Sequence, residues 1–173
     1  VENRYNRGHN LPGKLYWAES AQDKEVALSF DDGPSEQWTP KVLDILNQKN
    51  VKATFFVIGK QAQKYPAILQ RINPEGHVVG NHTFDHVALT KSSPQQVEQE
   101  LEKCSLAIHN VIGKTPRLIR PPFGFHDATV DNAVYSRNNI IVLWSLDTKD
   151  WTGLDAATIK ARVLPKIQNG FII

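Results

Sequence analysis

Ser29-Phe30-Asp31-Asp32-Gly33-Pro34 ends the apolar run Val26–Phe30 with two adjacent carboxylates and a turn. The apolar run reads as a short buried strand, and Gly33-Pro34 as the turn that stops it. A turn accounts for the glycine and the proline. It does not account for two carboxylates leaving a buried strand side by side, which repel one another when unpartnered. A metal holding one and an arginine facing the other removes that cost.

Outward from this stretch the chain alternates strand and helix. Thr39-Pro40 opens a helix to about Lys49, with Thr39 as N-cap and Pro40 at the first helical position. Ala53–Ile58 is a second strand, followed by a helix over Gln61–Ile72 that breaks or restarts at Pro66. His77–Gly80 is a third strand. Ser93-Pro94 caps a long helix to about Ile112, with Val97, Leu101, Cys104, Ile108 and Val111 as its apolar stripe. Leu118–Arg120 and Ile140–Leu146 are further strands, Asp127–Arg137 and Asp155–Lys166 helices, and Phe171–Ile173 begins a sixth strand. Residues 1–25 are polar, with Gly8, Pro12 and Gly13, and read as an extended lead-in to one domain over 26–173. The pattern predicts an α/β fold of parallel strands covered by helices. In such folds the strand ends share one face, so the polar groups after the strands converge there.

Composition narrows the function. A net charge of +2 with no Lys/Arg run is too weak a bias to argue for nucleic acid, and no apolar stretch reaches the roughly 18 residues of a membrane span. Cys104 is the one cysteine, so there is no internal disulfide and no Cys-built zinc cage; its place on the helical stripe makes it a buried thiol. The chain lacks Met and begins at Val1, which predicts that an N-terminal piece, an export signal or a tag, has been removed.

His82-Thr83-Phe84-Asp85-His86 spaces two imidazoles four residues apart, one helical turn. Alone, the pair is equally a solvated helix face. With Asp32 it completes a 2-His-1-carboxylate set that leaves positions open for water and substrate, and a metal there lowers the pKa of its water towards ~7. Asp85 is expected to face solvent or to stand behind the ligands. Arg120-Pro121-Pro122-Phe123-Gly124 is either a rigid loop or the device that orients Asp31 through Arg120 and offers the Phe123 N–H to an oxyanion. In Asp147-Thr148-Lys149-Asp150-Trp151, the Trp at a strand-end rim suits the apolar face of a sugar; Trp38 is a second candidate. Trp17 and Trp144 are assigned to the core, and His9, His77, His109 and His126 to structural or surface roles.

These residues resemble the NodB-homology polysaccharide deacetylases, carbohydrate esterase family 4. Ser29–Pro34 resembles that family's TFDDGP motif with Ser for Thr, His82–His86 its H-[ST]-x-x-H, Arg120–Gly124 its R-P-P-[YF]-G, and Asp147–Trp151 its D-x-x-D-W. The resemblance implies a distorted (β/α) barrel with fewer than eight strands. It implies Asp31 as general base, Asp32, His82 and His86 as ligands of zinc (cobalt or nickel also being accepted), and Arg120 as the group that positions the base. It further implies Phe123 in the oxyanion hole, Asp150 as support for a catalytic histidine, and Trp151 along a substrate groove, for which Trp38 and Pro122 are further candidates.

The departure is the family's L-x-H motif on the last strand: here the chain reads Gly170-Phe171-Ile172-Ile173 and no such histidine follows. The expectation is a truncated C-terminal strand with a missing tail; without a general acid, activity falls by ~10²–10⁴-fold. The implied function is removal of N-acetyl groups from an N-acetylglucosamine polymer, peptidoglycan or chitin-like, by a monomeric, secreted or wall-associated bacterial enzyme. Its alternatives are an O-acetyl xylan esterase and a non-catalytic glycan-binding relative. A facial-triad iron oxygenase is disfavoured by the histidine spacing and the strand pattern.

Overall fold

A computed structural model of the chain describes residues 15–16 and 25–173. The expectations for Trp17 and His9 lie outside these residues. Among the described residues six strands form one all-parallel sheet: β1 (Leu15–Tyr16), β2 (Ser29–Asp31), β3 (Thr54–Val57), β4 (Val78–Asn81), β5 (Leu118–Ile119) and β6 (Ile140–Val142), in the order β1-β6-β5-β4-β3-β2. The helices between them are α1 (Thr39–Gln48), α2 (Gly59–Lys64), α3 (Pro66–Ile72), α4 (Pro94–Ile112), α5 (Ala128–Tyr135) and α6 (Ala156–Val163). The α/β alternation read from the sequence is therefore the fold, with shorter strands.

Three local details differ. The lead-in contributes a strand: β1 pairs in parallel with β6, Leu15 opposite Ile141 and Tyr16 opposite Val142. Trp38 is the N-cap of α1; Thr39 is already helical, and its hydroxyl accepts the Ser35 N–H at 2.8 Å. The proposed sixth C-terminal strand is one bridge, Ala27 to Ile172, although its hydrogen bonds matter. On one side Ala27 N–H donates to Phe171 O, Ile173 N–H to Ala27 O and Ser29 N–H to Ile173 O; on the other, Ser145 N–H donates to Ile172 O. Residues 171–173 thus lie between β2 and the run after β6 and draw the curled sheet towards closure. The result is an incomplete barrel. The segment covers the edge of the sheet along residues 27–29.

α4 shows how locally consistent the sequence is. Ser93 and Gln96 exchange hydrogen bonds as a capping box, and Gly113, at φ 69°, ends the helix in a left-handed turn. Its inner stripe, including Val97, Leu101, Cys104 and Ile108, is buried. At Pro66 the chain breaks and restarts between α2 and α3, because proline lacks the N–H that would carry one helix through.

His77 is a core histidine at the far end of the strands from the residues of the next section. Its Nδ1 accepts the Ala53 N–H at 3.2 Å and its ring meets Phe55 edge-on. Burial, aided by Lys52, holds its pKa below 6.5. Above pH 6.5 both folded and unfolded chains keep this ring neutral and its stability is fully present. As the pH falls below 6.5 the unfolded chain takes up a proton first, so stability declines until the folded pKa is passed. In urea titrations between pH 7 and 5, His77→Gln, which keeps an acceptor for Ala53, is expected to flatten this decline; an unchanged slope would contradict it.

Candidate active site

Asp31 is the last residue of β2, and Asp32 follows at φ 69°. Along an extended strand, consecutive side chains point to opposite faces. The left-handed turn at Asp32 cancels that alternation and brings both carboxylates to one place, a conformation Asp tolerates better than most residues. They then part. Asp31 Oδ1 accepts from Arg120 Nη1 at 2.8 Å, while Asp32 Oδ1 lies 3.4 Å from His82 Nε2 and 3.2 Å from His86 Nε2.

The histidine spacing is not a helical turn, as it was read in the sequence. His82 to His86 is a tight loop after β4, with Thr83 at φ 67° and His86 at φ 58°. Both rings reach one point because the loop folds back: the His86 N–H donates to Thr83 Oγ1 at 3.1 Å, and Thr83 N–H to Asn81 Oδ1 at 2.8 Å. His82 is 2% exposed and its Nδ1 donates to Arg120 O at 2.6 Å, which leaves Nε2 as the lone-pair nitrogen facing Asp32.

Asp32, His82 and His86 each offer one donor atom, and these atoms lie within 4.8 Å of one another. A tetrahedral zinc with bonds of about 2.0–2.2 Å holds its ligand atoms roughly 3.3 Å apart. The Asp32–histidine separations of 3.2 and 3.4 Å match that spacing, so the donor set fits such an ion. His82, through a hydrogen bond that its ring donates to Asp32 only when protonated, more than through the charge of either ring, lowers the Asp32 pKa despite partial burial, and burial lowers that of His86. Both shifts favour the deprotonated, ligating forms.

Arg120 follows β5 and is 2% exposed. It donates through Nη1 to Asp31 and Ser29 Oγ, through Nε to Val142 O at 3.0 Å, and through Nη2 to Leu143 O at 2.9 Å. Its guanidinium lies over the Phe56 ring, 4.1 Å from the centroid. Gly80 makes that possible: a Cβ there would stand 2.4 Å from the same ring. Burial pulls the Arg120 pKa down while Asp31 opposes it. Ser29, matched to the family's Thr, keeps the needed hydroxyl, which also donates to Ile173 O at 2.9 Å.

Phe123 sits at φ 61° in a 3-10 turn over Pro122–Gly124. The turn is closed by Gly124 N–H to Pro121 O and Phe125 N–H to Pro122 O, so the Phe123 N–H is not used in closing it. The Phe123 ring meets His86 edge-on at 5.0 Å. Pro122, expected along the groove, is buried in the turn, and Phe123 and Phe125 present the exposed faces instead. Trp151 is 73% exposed with Lys149 Nζ 4.9 Å from its ring centre; Trp38 is also exposed, beside Lys41. Trp144 is half-buried between Gly124 and Arg120. Asp150 accepts from Thr148 Oγ1 at 2.7 Å, and none of its hydrogen bonds reaches the Asp31–Arg120 pair. Asp85 pairs with Lys60, and His126 with Asp131. A cavity of about 480 Å³ opens beside Asp32, lined by Pro34, Ser35, Gln37, Gln61, Lys64 and Tyr65. Beyond Pro34, no sequence signal marked this wall, nor Asn81, because these residues belong to no run of chemistry-bearing residues.

The polysaccharide deacetylase family model matches residues 18–139. The chain belongs to the polysaccharide deacetylase family. The match includes the Asp-Asp, His-x₃-His and Arg120 elements of the site just described, and this family, carbohydrate esterase family 4, is generally metal-dependent. Among the chain's relatives, a peptidoglycan-N-acetylglucosamine deacetylase of Bacillus cereus is 44% identical over 149 residues, covering 86% of this chain and 54% of its own length. The corresponding PgdA enzyme of Listeria monocytogenes is 41% identical over 152 residues, covering 87% and 32%. The chain thus spans between about a third and about half of these two relatives. The crystal structure of a peptidoglycan N-acetylglucosamine deacetylase superposes with a TM-score of 0.88 at 41% identity, over 92% of this chain and 74% of that one. A family pseudoenzyme from Bacillus anthracis superposes equally well, TM-score 0.88, at 25% identity over 94% and 58%.

Proposed function

We propose that this chain hydrolyses N-acetyl groups of an N-acetylglucosamine-containing glycan, releasing acetate and leaving a free amine. The observation that carries the reading is the division between two neighbouring carboxylates: Asp31 is bound to Arg120, and Asp32 to the two histidines. Asp32, His82 and His86 would hold the ion, zinc by the donor set, with cobalt or nickel as substitutes. Bound there, such an ion supplies a Lewis acid and a water acidic enough to attack at neutral pH.

The protein's own groups do the rest. Arg120 holds and aims Asp31, with Asp31 Oδ2 3.9 Å from His82 Nε2, close enough to take a proton from a water beside the ligand set. As water adds to the acetamide carbon, negative charge grows on the carbonyl oxygen, and the Phe123 N–H is fixed to donate to it. The C–N bond then breaks and the amine departs with the proton that Asp31 took from the water. Exposed Phe123 and Phe125, their ring centres 5.7 Å apart, and exposed Trp151 offer aromatic faces to sugar rings. The named activities of the relatives make the peptidoglycan of a bacterial wall the first substrate to test, for a monomeric, exported enzyme.

Zinc-loaded protein should be offered peptidoglycan fragments, chitooligosaccharides and acetylated xylan, with free amine and acetate read in parallel. Equal amounts of amine and acetate from the N-acetyl substrates are expected. Acetate from xylan alone would replace this reading with an O-acetyl esterase. Glycan binding without turnover would place the chain with non-catalytic relatives, a reading that the likeness to the pseudoenzyme keeps in view.

A further inference from the structure

The loop that carries His86 has no regular structure to hold it, and its two left-handed residues are not glycines. Such backbone persists only where surrounding groups impose it. Two elements grip it. From α2, Gly59 N–H donates to Thr83 O at 2.9 Å and Lys60 N–H to Phe84 O at 3.1 Å. From α4, one carboxylate oxygen of Glu100 accepts the N–H of Phe84 at 3.0 Å and of Asp85 at 2.8 Å. Phe84 lies over Gly59 so closely that a Cβ there would stand 2.4 Å from its ring. Glu100 is the only acidic residue of α4 that is buried, 9% exposed, among helix neighbours that face solvent or the apolar core. The Lys60–Asp85 ion pair lies across the same loop.

We infer that Glu100 is a positioning residue for the metal-ligand loop: its carboxylate, reaching over from α4, fixes the two peptide groups between His82 and His86 so that both rings meet Asp32. Two N–H groups on one buried carboxylate are charge-assisted hydrogen bonds, stronger and stiffer than neutral ones. Groups that orient metal ligands from behind characteristically change metal affinity by 10–100-fold when removed. This inference rests on the reading of Asp32, His82 and His86 as ligands.

The test is a Co(II) titration of chelator-stripped full chain, followed by visible absorption, with the unfolding midpoint of the metal-free form measured alongside. Glu100→Ala should raise the Co(II) Kd about 10–100-fold and alter the absorption band. Glu100→Gln, which keeps an oxygen for both N–H groups, should recover most of the affinity. Glu98→Ala, which removes an exposed partner of Arg137 from the same helix, should leave Kd and band unchanged. A lowered midpoint in Glu100→Ala with unchanged Kd and band would make Glu100 merely structural and overturn the inference. If Glu100→Ala does not fold, Glu100→Asp takes its place: it keeps the charge but withdraws the oxygen by one methylene, and an unchanged Kd there overturns the inference equally. Failure of the wild type to bind Co(II) would overturn the ligand assignment, and the role of Glu100 with it.

Discussion

Asp31→Asn lowers the rate of acetate release by about 10²–10⁴-fold, the usual loss when a positioned general base is removed, while the metal stays bound. Asn has nearly the same shape, and its oxygen still accepts from Arg120 Nη1, as Asp31 Oδ1 does at 2.8 Å. What it cannot do is take a proton from water. Because the donor atoms of the ligand set are those of Asp32, His82 and His86, Co(II) or zinc affinity should change little. Substrate binding should also persist, so the loss falls on kcat rather than KM. Comparable turnover in the variant would remove Asp31 from the role of base; loss of the metal along with activity would mean that the two carboxylates are not divided as proposed.

Arg120→Ala is expected to be the most damaging single change to stability. The side chain is 2% exposed and satisfies Asp31, Ser29 Oγ and the carbonyls of Val142 and Leu143, so its loss leaves four acceptors and a cavity over Phe56. Removing one partner of a buried ion pair costs about 3–5 kcal/mol; Asp31 is itself exposed, and here the buried carbonyls of Val142 and Leu143 lose their donors as well. For a domain of this size that corresponds to about 6–20 °C in Tm. Arg120→Lys should recover only part of it, because an ammonium cannot span acceptors on β2 and at the end of β6 as the planar fork does. A thermal scan that finds Arg120→Ala within about 2 °C of wild type would contradict this account of how β2, β5 and β6 are tied together.

Much of the site was legible because its residues cluster at strand ends. Asp31, Asp32, His82 and Arg120 fall at or just after strand ends, with His86 in the loop that follows His82, and a parallel sheet brings such positions to one face whatever their distance in sequence. What stayed hidden has physical reasons. β1 is two residues long within a polar stretch, so no alternation marks it. The spacing of His82 and His86 fits a helix as well as a loop, and nothing in Thr83 or His86 announces a positive φ, which glycine would have done. Glu100 reads as one more charge on an amphipathic helix; only the fold shows that it turns inward to two peptide N–H groups. Pro122 looked like a groove residue because its motif borders the site, yet packing turns Phe123 and Phe125 outward in its place.

The most direct test of the central claim is acetate release from an N-acetylglucosamine oligomer by the protein as prepared, after stripping with a chelator, and after adding zinc back. The account predicts acetate with an equal amount of free amine, abolished by stripping and restored by zinc. Acetate release that survives complete metal removal, or its absence from the zinc-loaded protein, would contradict it.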